Sequence, residues 1–336
     1  MPLSFFEPRK RGKRPYKKRE QIERAVITVK GFPNNSRVCF IGDSITHNNG
    51  FLSHISAFYH EHYKERNVNF YNCGVAGGSI STALPIIDED VLSCNPTHAV
   101  IMFGINDSER WYLELPKTME RYEKMIKAYE IYKQNLSEIC RRLSKNNIEI
   151  TLCTQTPYDE YQDSETPALK GGYALMCGYS EYVRKFTAEK GYGLCDYHKY
   201  FCHAIQAESL ISPDRVHLND KGQFLMAKCF LEFQGFDIGE YKSVPKYMDR
   251  WRELVQIYRN LWAAEKLIIG KYDLAQEEKL LIIKKYVKEN ENNEDNKFIV
   301  NLGKEYVKNK HLQQEIKDEI IWQMEVEFKK QERSII

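Results

Sequence analysis

The feature that most constrains this 336-residue chain is an apolar stretch that ends in a polar turn. Residues 37–41 (Arg-Val-Cys-Phe-Ile) have the pattern of a buried strand, and residues 42–46 (Gly-Asp-Ser-Ile-Thr) follow at once. Open parallel α/β sheets place their chemistry at the carboxyl ends of such strands. The stretch therefore predicts that Ser44 lies at the functional edge of a parallel sheet.

The Gly-Asp-Ser tripeptide is weak evidence by itself. Glycine supplies positive φ in turns, and Asp or Ser often caps a helix, so an ordinary turn explains the tripeptide equally well. A serine hydroxyl acts as a nucleophile only when a base takes its proton and donors hold the developing oxyanion. The catalytic interpretation of Ser44 therefore requires other segments to supply a base and an oxyanion hole.

Four further apolar segments repeat the pattern of a buried strand followed by a polar turn, and helical periodicity fills the intervals. This alternation predicts a flavodoxin-like, three-layer α/β/α fold with a five-stranded parallel sheet and right-handed crossovers. The expected strands are 37–41, 68–73, 98–103, 149–154 and 192–197, and the main helices are 50–64, 118–144, 173–190 and 221–233.

Changes in composition divide the chain into four parts. Residues 1–30 form a basic arm, 31–234 the α/β domain, 235–248 a linker and 249–336 an all-helical region, here named the helical extension. The expected helices of the extension are 249–269, 274–288, 298–308 and 312–330. No catalytic signature is visible in the extension.

The charge distribution bears on partners and location. Formal net charge is +2, yet residues 1–24 contain nine Lys or Arg against three Glu. Nucleic acid, an anionic membrane surface or an acidic polymer could bind such a block, but a solvated or folded-back arm is favoured, and nucleic acid is not expected. We expect no membrane span, because no apolar run approaches ~18 residues. No apolar segment follows the basic block as in a secretory signal, so a cytoplasmic location is expected.

Cysteine and histidine usage predicts neither a metal nor a cofactor. The chain has nine cysteines and no Cys-x-x-Cys, which favours reduced, buried thiols. His54 and the His60-Glu61-His62 segment lack the i, i+4 histidine pair of a zinc-protease helix. We therefore expect no metal ligands and no organic cofactor.

Four separated pieces of the predicted α/β domain resemble, in order, the four sequence blocks of the SGNH, or GDSL-type, ester hydrolases. The resemblance covers about residues 36–233 and leaves the arm and the extension unexplained. The pieces are Gly42-Asp43-Ser44-Ile45, Gly77 within Asn72-Cys73-Gly74-Val75-Ala76-Gly77, Gly104-Ile105-Asn106-Asp107 and Asp214-Arg215-Val216-His217. Ile45 replaces the leucine of the familiar motif and keeps an apolar side chain there.

The resemblance implies a catalytic triad. Ser44 would be the nucleophile, His217 the general base and then general acid, and Asp214 the carboxylate that orients the imidazole. An Asp and a His three residues apart in one loop can meet without joining distant parts of the fold. Asp43 and Asp107 are interpreted as turn-stabilising.

The same resemblance implies an oxyanion hole with three donors. They would be the backbone N–H groups of Ser44 and Gly77 and the side-chain amide of Asn106. A glycine suits this role because the lack of Cβ lets the backbone approach substrate. Gly74 and Gly78 remain alternatives to Gly77.

Four side chains are candidate substrate contacts because they lie just after the nucleophile or after strand ends. They are His47, Trp111, Tyr112 and Tyr158. Surface exposure for His47, and packing of a lid for the three aromatic residues, are the structural alternatives.

The function expected from these observations is hydrolysis of an acyl ester through an acyl-enzyme. A short O-acyl group such as O-acetyl on a carbohydrate is favoured by fold-level analogy and by the lack of a long apolar lid-like segment. One alternative passes the acyl group to a sugar hydroxyl. Another is an inactive binding or scaffold protein that acts on a protein partner through residues 249–336.

Overall fold

The computed structural model describes residues 31–239, 247–270, 274–293 and 296–312. The basic arm and nearly all of the helix expected over 312–330 lie outside these residues.

A five-stranded parallel sheet forms the centre of the α/β domain, with the strand order β2-β1-β3-β4-β5. The predicted fold class is confirmed. The strands are β1 (Arg37–Gly42), β2 (Asn69–Gly74), β3 (His98–Met102), β4 (Glu149–Cys153) and β5 (Gly193–Cys195). The last strand is shorter than the predicted 192–197, because the side chain of Asp196 accepts a hydrogen bond from the backbone of Lys199 and begins a helix.

Helices cover both faces of the sheet. In the α/β domain they are α1 (Ser44–His47), α2 (Gly50–His62), α3 (Ile80–Ala83), α4 (Ile87–Asp90), α5 (Met119–Lys145), α6 (Gly172–Lys190), α7 (Tyr197–Ala204) and α8 (Asp220–Phe233). Helix α7 was not predicted. Its eight residues, Tyr-His-Lys-Tyr-Phe-Cys-His-Ala, include mostly weak helix formers, and the helix depends on the Asp196 cap and on tertiary packing.

The two faces of the sheet bury alternate residues of each strand, as the pleat requires. On one face Val38 and Phe40 of β1 pack with apolar side chains of α2 and α8. On the other face Cys39 and Ile41 pack with those of α5 and α6. The central strands β1 and β3 are therefore buried on both faces, which accounts for their continuous apolar sequence.

The strand order creates a crevice where the chemistry of such folds is found. Strand β1 lies between β2 and β3, so the connections that leave β1 and β3 run to opposite faces of the sheet. Residues 43–46 follow β1 and residues 103–107 follow β3. The crevice at the carboxyl ends of these two strands thus receives two of the four sequence blocks.

The helical extension contains most of α9 (Tyr247–Ala264), which begins two residues before the predicted boundary at 249, then a π-helical turn (Glu265–Ile269), α10 (Gln276–Asn290) and α11 (Lys297–Asn309). Its buried side chains form an apolar cluster of their own, which includes Leu254, Leu261 and Tyr306. Val75, directly after β2, joins this cluster from the α/β domain.

None of the described helices is long and apolar enough to cross a lipid bilayer. All nine cysteines are free thiols, and six of them are buried.

Candidate active site

Ser44 is presented by a tight turn between β1 and α1. The side chain of Asp43 accepts a hydrogen bond of 3.0 Å from the backbone of Ile45 and so caps α1, of which Ser44 is the first residue. Gly42 is required here, because a Cβ at this position would lie 2.3 Å from Oγ1 of Thr46 and 2.8 Å from the carbonyl oxygen of Met102.

A chain of hydrogen bonds joins Ser44 to the loop before α8. Oγ of Ser44 lies 2.7 Å from Nε2 of His217, and Nδ1 of His217 lies 2.6 Å from Oδ2 of Asp214. Because an ionised carboxylate only accepts hydrogen bonds, the imidazole carries its proton on Nδ1 and leaves Nε2 free to accept from the serine. This arrangement can remove the proton from a serine hydroxyl.

The carboxylate of Asp214 stays ionised because hydrogen bonds stabilise its charge. Partial burial raises the pKa of Asp214, but the backbone N–H groups of Val216 and His217 and the imidazole together hold this pKa below its ordinary value. The side chains of Asp214 and His217 are 49% and 45% exposed, so the crevice is open to solvent on this side.

Arg215 anchors the loop that carries Asp214 and His217. Its backbone has φ of 69°, in the left-handed region, and the residue is buried. The guanidinium donates to backbone carbonyl groups of the segment 159–166, among them Thr166 at 2.8 Å and Gln162 at 2.9 Å. Strained backbone of this kind persists where the surroundings fix it. The contacts hold the loop against a long neighbouring segment.

The turn after β2 lies beside the turn after β3. Gly77 has φ of 72°, and the backbone N–H of Gly78 donates to the carbonyl oxygen of Val75 at 2.9 Å. Two hydrogen bonds join the turns. Nδ2 of Asn106 donates to the carbonyl oxygen of Gly78 at 2.8 Å, and the backbone of Ile80 donates to Oδ1 of Asp107 at 2.9 Å.

Arg110 orients the side-chain amide of Asn106. Its Nη1 lies 3.3 Å from Oδ1 of Asn106 and 3.2 Å from the carbonyl oxygen of Ile105. A guanidinium can only donate, so it selects the rotamer in which the amide oxygen faces Arg110. One N–H of the Asn106 amide is bonded to Gly78, and the second N–H is then the donor that a ligand can use.

Two buried carboxyl groups lie beneath the crevice. Burial raises the pKa of Asp43 to about 6, although the side chain accepts hydrogen bonds from Ile45 and Gln155. Burial, with a smaller contribution from the neighbouring Asp43, raises the pKa of Asp107 to about 7. Within the described part of the chain, Oδ2 of Asp107 has no hydrogen-bond partner. Both groups therefore favour the protonated form more than an exposed carboxyl group does.

Replacing Asp107 by asparagine is expected to flatten the dependence of stability on pH. Between the unfolded pKa of ~3.9 and the folded pKa of about 7, the native state holds a proton that the unfolded chain has released. This stabilisation is complete below the unfolded pKa and is lost as the pH rises through about 7. The wild-type free energy of unfolding should therefore contain a contribution of about 2–3 kcal/mol that disappears between pH 5 and pH 8.

Urea unfolding at the two pH values measures this contribution. The Asp107→Asn variant should lose most of this pH-dependent contribution. Oδ1 of asparagine still accepts the hydrogen bond from Ile80, but the amide side chain has no proton to release in this pH range. The exposed Asp163→Asn substitution is the matched control and should leave the pH dependence unchanged. An equal pH dependence in wild type and Asp107→Asn would contradict the assignment.

The four candidate substrate contacts occupy different environments. Trp111 is 45% exposed and Tyr112 is partly exposed, both in the 3₁₀ turn of residues 110–114 beside the crevice. His47 is 7% exposed, and its burial and the guanidinium of Arg259 lower its pKa to about 4. Tyr158 is 3% exposed, and its hydroxyl accepts from the backbone of Leu169 at 2.9 Å. His47 and Tyr158 thus offer little surface to a ligand in this conformation.

Comparison with known proteins identifies the family. Residues 40–224 match the GDSL-like lipase/acylhydrolase family, which is more than half of the chain. The chain belongs to this family. The protein is accordingly an ester hydrolase, and the resemblance noted from the four sequence blocks is confirmed. Among curated proteins no match was found.

Solved structures share the fold at low sequence identity. A gut microbial diltiazem-metabolizing enzyme is 18% identical, covers 90% of this chain and 96% of its own, and superimposes with a TM-score of 0.70. An acetylxylan esterase from Geobacillus stearothermophilus is 23% identical over 61% of this chain and 97% of its own, with a TM-score of 0.52. An alpha/beta hydrolase from the metagenome of Lake Arreo, Spain, is 23% identical over 61% of this chain and 97% of its own, with a TM-score of 0.51. The first likeness extends beyond the α/β domain into the helical extension.

Three arginines near the site were not recognised from the sequence. They are Arg110, Arg215 and Arg259, and each binds groups that belong to the predicted site residues or their immediate neighbours. Arg215 lies inside the fourth block, and Arg110 lies four residues after Asn106, so their positions offered a signal. Arg259 lies in the extension, where the local sequence offered none.

Proposed function

We propose that this ester hydrolase removes short O-acyl groups, above all O-acetyl groups, from carbohydrate through an acyl-enzyme on Ser44. The observation that carries the proposal is the hydrogen-bonded series of Ser44, His217 and Asp214, with separations of 2.7 and 2.6 Å, at the crevice that Gly77 and Asn106 border. A base within ~2.6–3.2 Å of the hydroxyl, itself held in one tautomer, is what nucleophilic catalysis by serine requires.

The first step forms the acyl-enzyme. Oγ of Ser44 attacks the carbonyl carbon of the ester while its proton passes to Nε2 of His217. The electron pair of the carbonyl double bond moves to oxygen and gives a tetrahedral oxyanion. Asp214 stabilises the imidazolium that forms, because its carboxylate accepts the hydrogen bond from Nδ1.

Three N–H groups are proposed to hold the oxyanion. They are the backbone N–H groups of Ser44 and Gly77 and the second N–H of the Asn106 amide. Hydrogen-bond donors fixed around the developing charge usually contribute the largest share of such catalysis. Arg110 is proposed as a positioning residue, because its bond to the amide oxygen directs the amide nitrogen away from the guanidinium.

The tetrahedral intermediate then collapses. The bond between the carbonyl carbon and the alcohol oxygen breaks, and the leaving oxygen takes the proton from His217 and departs as an alcohol. In the second half, His217 removes a proton from water, which attacks the acyl-enzyme. A second collapse returns the proton to Ser44 and releases the carboxylic acid.

The preference for acetylated carbohydrate rests on two supports. The half-exposed Asp214 and His217 leave the crevice open, and the exposed Trp111 beside it offers a surface on which a sugar ring can stack. The acetylxylan esterase of Geobacillus stearothermophilus shares the fold.

A substrate panel tests this proposal. The wild-type enzyme is assayed on p-nitrophenyl acetate, p-nitrophenyl octanoate and acetylated xylo-oligosaccharides, with released acetate measured for the sugars. We expect kcat/KM at least 10-fold higher for the acetate than for the octanoate, and release of acetate from the oligosaccharides. A higher value for the octanoate, or no release of acetate from the sugars, would reject the short-acyl carbohydrate assignment. Acetyl transfer to an added acceptor sugar in place of acetate release would instead identify a transferase.

A further inference from the structure

The helical extension reaches the turn that carries Gly77 through a buried arginine of α9. The guanidinium of Arg259 donates to both carboxylate oxygens of Asp90, with 2.6 Å between Nη2 and Oδ2. Its Nε lies 3.3 Å from the carbonyl oxygen of Gly74, the last residue of β2. One side chain of the extension therefore joins the end of β2 to helix α4.

Apolar packing supports the same turn. Val75 is 6% exposed and belongs to the apolar cluster of the extension together with Leu254 and Leu261. Its own carbonyl oxygen accepts the hydrogen bond from Gly78 that closes the turn around Gly77. The side chain of Val75 thus lies in the core of the extension while its backbone shapes the proposed oxyanion hole.

Helix α1, which begins with Ser44, contacts both α9 and the end of β2. The side chain of Gln256 in α9 donates to the backbone carbonyl oxygen of Asn48, which ends α1. The end of β2 is equally close to α1, because a Cβ at Gly74 would lie 2.4 Å from the backbone nitrogen of His47. Helix α1 and the end of β2 are therefore closely packed. Helix α9 donates a hydrogen bond to a carbonyl group at the end of each, Asn48 for α1 and Gly74 for β2.

The burial of Arg259 and Asp90 points to a geometric role. Their side chains are 7% and 6% exposed. A buried ion pair contributes little net stability, because removing both charges from water costs about as much as their attraction returns. An apolar pair would hold α9 in place as well, but it could not bind the carbonyl oxygen of Gly74.

We propose that the helical extension is part of the catalytic unit and that Arg259 is a positioning residue for the oxyanion hole. Through the carbonyl oxygen of Gly74 and the packing of Val75, α9 fixes the turn of residues 74–78 so that the N–H of Gly77 faces the reacting carbonyl. This inference rests on the oxyanion role proposed above for Gly77. It gives the extension an internal task, in contrast to recruitment of a protein partner.

The test removes the buried pair without leaving a lone charge. In the full chain, the Asp90→Leu/Arg259→Met double variant replaces both members by apolar side chains and deletes the bond to Gly74. Arg259→Lys is the conservative companion. The control is Lys266→Ala, which breaks the ion pair between Lys266 of the extension and Glu89 of α4; their side chains are 29% and 27% exposed. Asn106→Ala is the reference for a damaged oxyanion hole, with an expected loss of ~10²–10³ in kcat.

For the double variant we expect a 10- to 100-fold loss of kcat on p-nitrophenyl acetate with KM changed less than threefold. Affinity for a trifluoromethyl ketone, whose adduct with serine carries an oxyanion, should fall by a similar factor. Arg259→Lys should retain more activity than the double variant, and Lys266→Ala should stay within twofold of wild type.

Three outcomes would overturn the inference. They are a double variant that folds with kcat unchanged, a loss that Lys266→Ala shares equally, and a lower kcat without weaker binding of the ketone. If the double variant does not fold, Val75→Ala takes its place with an expected 3- to 10-fold loss of kcat, and an unchanged kcat rejects the proposal. Full activity of Asn106→Ala would instead contradict the proposed oxyanion hole itself.

Discussion

Replacing Ser44 by alanine is expected to lower kcat for p-nitrophenyl acetate by about 10⁴-fold or more. The substitution deletes the proposed nucleophile and leaves His217 without the hydroxyl that it deprotonates. Residual activity would come from water activated by the imidazole and from the oxyanion donors. Stability should change little, because Ser44 is partly exposed and its backbone bonds within the turn are retained. The rate of p-nitrophenol release and the thermal unfolding midpoint measure the two effects.

The control for this variant is Ser81→Ala. Ser81 is an exposed serine on the neighbouring helix α3, and its hydroxyl accepts from the side chain of Asn135 at 2.9 Å. The activity of the Ser81→Ala variant should stay within twofold of wild type. A fluorophosphonate probe should label wild type and Ser81→Ala but not Ser44→Ala. Labelling of Ser44→Ala, or a rate above a tenth of wild type, would place the nucleophile elsewhere.

The fold was predictable because its signals are local in the sequence. Strands buried on both faces are continuously apolar, and four of the five predicted strands agree with the structure to within one residue at each end. The exception, β5, ends early because Asp196 begins the unpredicted helix α7. A short helix of weak helix formers is stabilised by its cap and by tertiary packing, and hydrophobic periodicity in the sequence reveals neither.

The candidate site was predictable only where its residues lie inside short blocks. The structure brings Ser44 and His217 together across 173 positions of sequence, and the family resemblance supplied that pairing in advance. No such resemblance covers the extension, so the contact between Arg259 and Gly74, 185 positions apart, could not be inferred. Long-range contacts of single polar side chains leave no periodic pattern in the sequence.

The two buried carboxyl groups, Asp43 and Asp107, show which properties of a residue its local sequence predicts and which it does not. Asp43 was interpreted as turn-stabilising, and it does bond to the backbone of Ile45 in its own turn. Asp107 instead bonds to Ile80 in another segment and so joins two turns. The raised pKa of each carboxyl group follows chiefly from burial, a property of the folded chain that a motif does not contain.

Replacing His217 by alanine is expected to have an effect of the same order as the loss of Ser44, about 10⁴-fold or more in kcat near neutral pH. Without the imidazole, no other base in the described part of the chain lies within hydrogen-bond distance of the serine hydroxyl to take its proton or to return one to the leaving alcohol. The residual rate of the variant should rise with hydroxide concentration.

Chemical rescue separates this chemical role from a structural one. Free imidazole can enter the space left by the side chain, because His217 is 45% exposed, and millimolar imidazole should raise the rate of His217→Ala in a saturable manner. The Ser44→Ala variant should show no such saturable increase, since its nucleophile is missing. His203→Ala, which removes an exposed histidine of α7, is the control and should keep wild-type activity. If His217→Ala retained more than about 1% of the wild-type kcat, the base would be another group and the proposed proton transfer would be wrong.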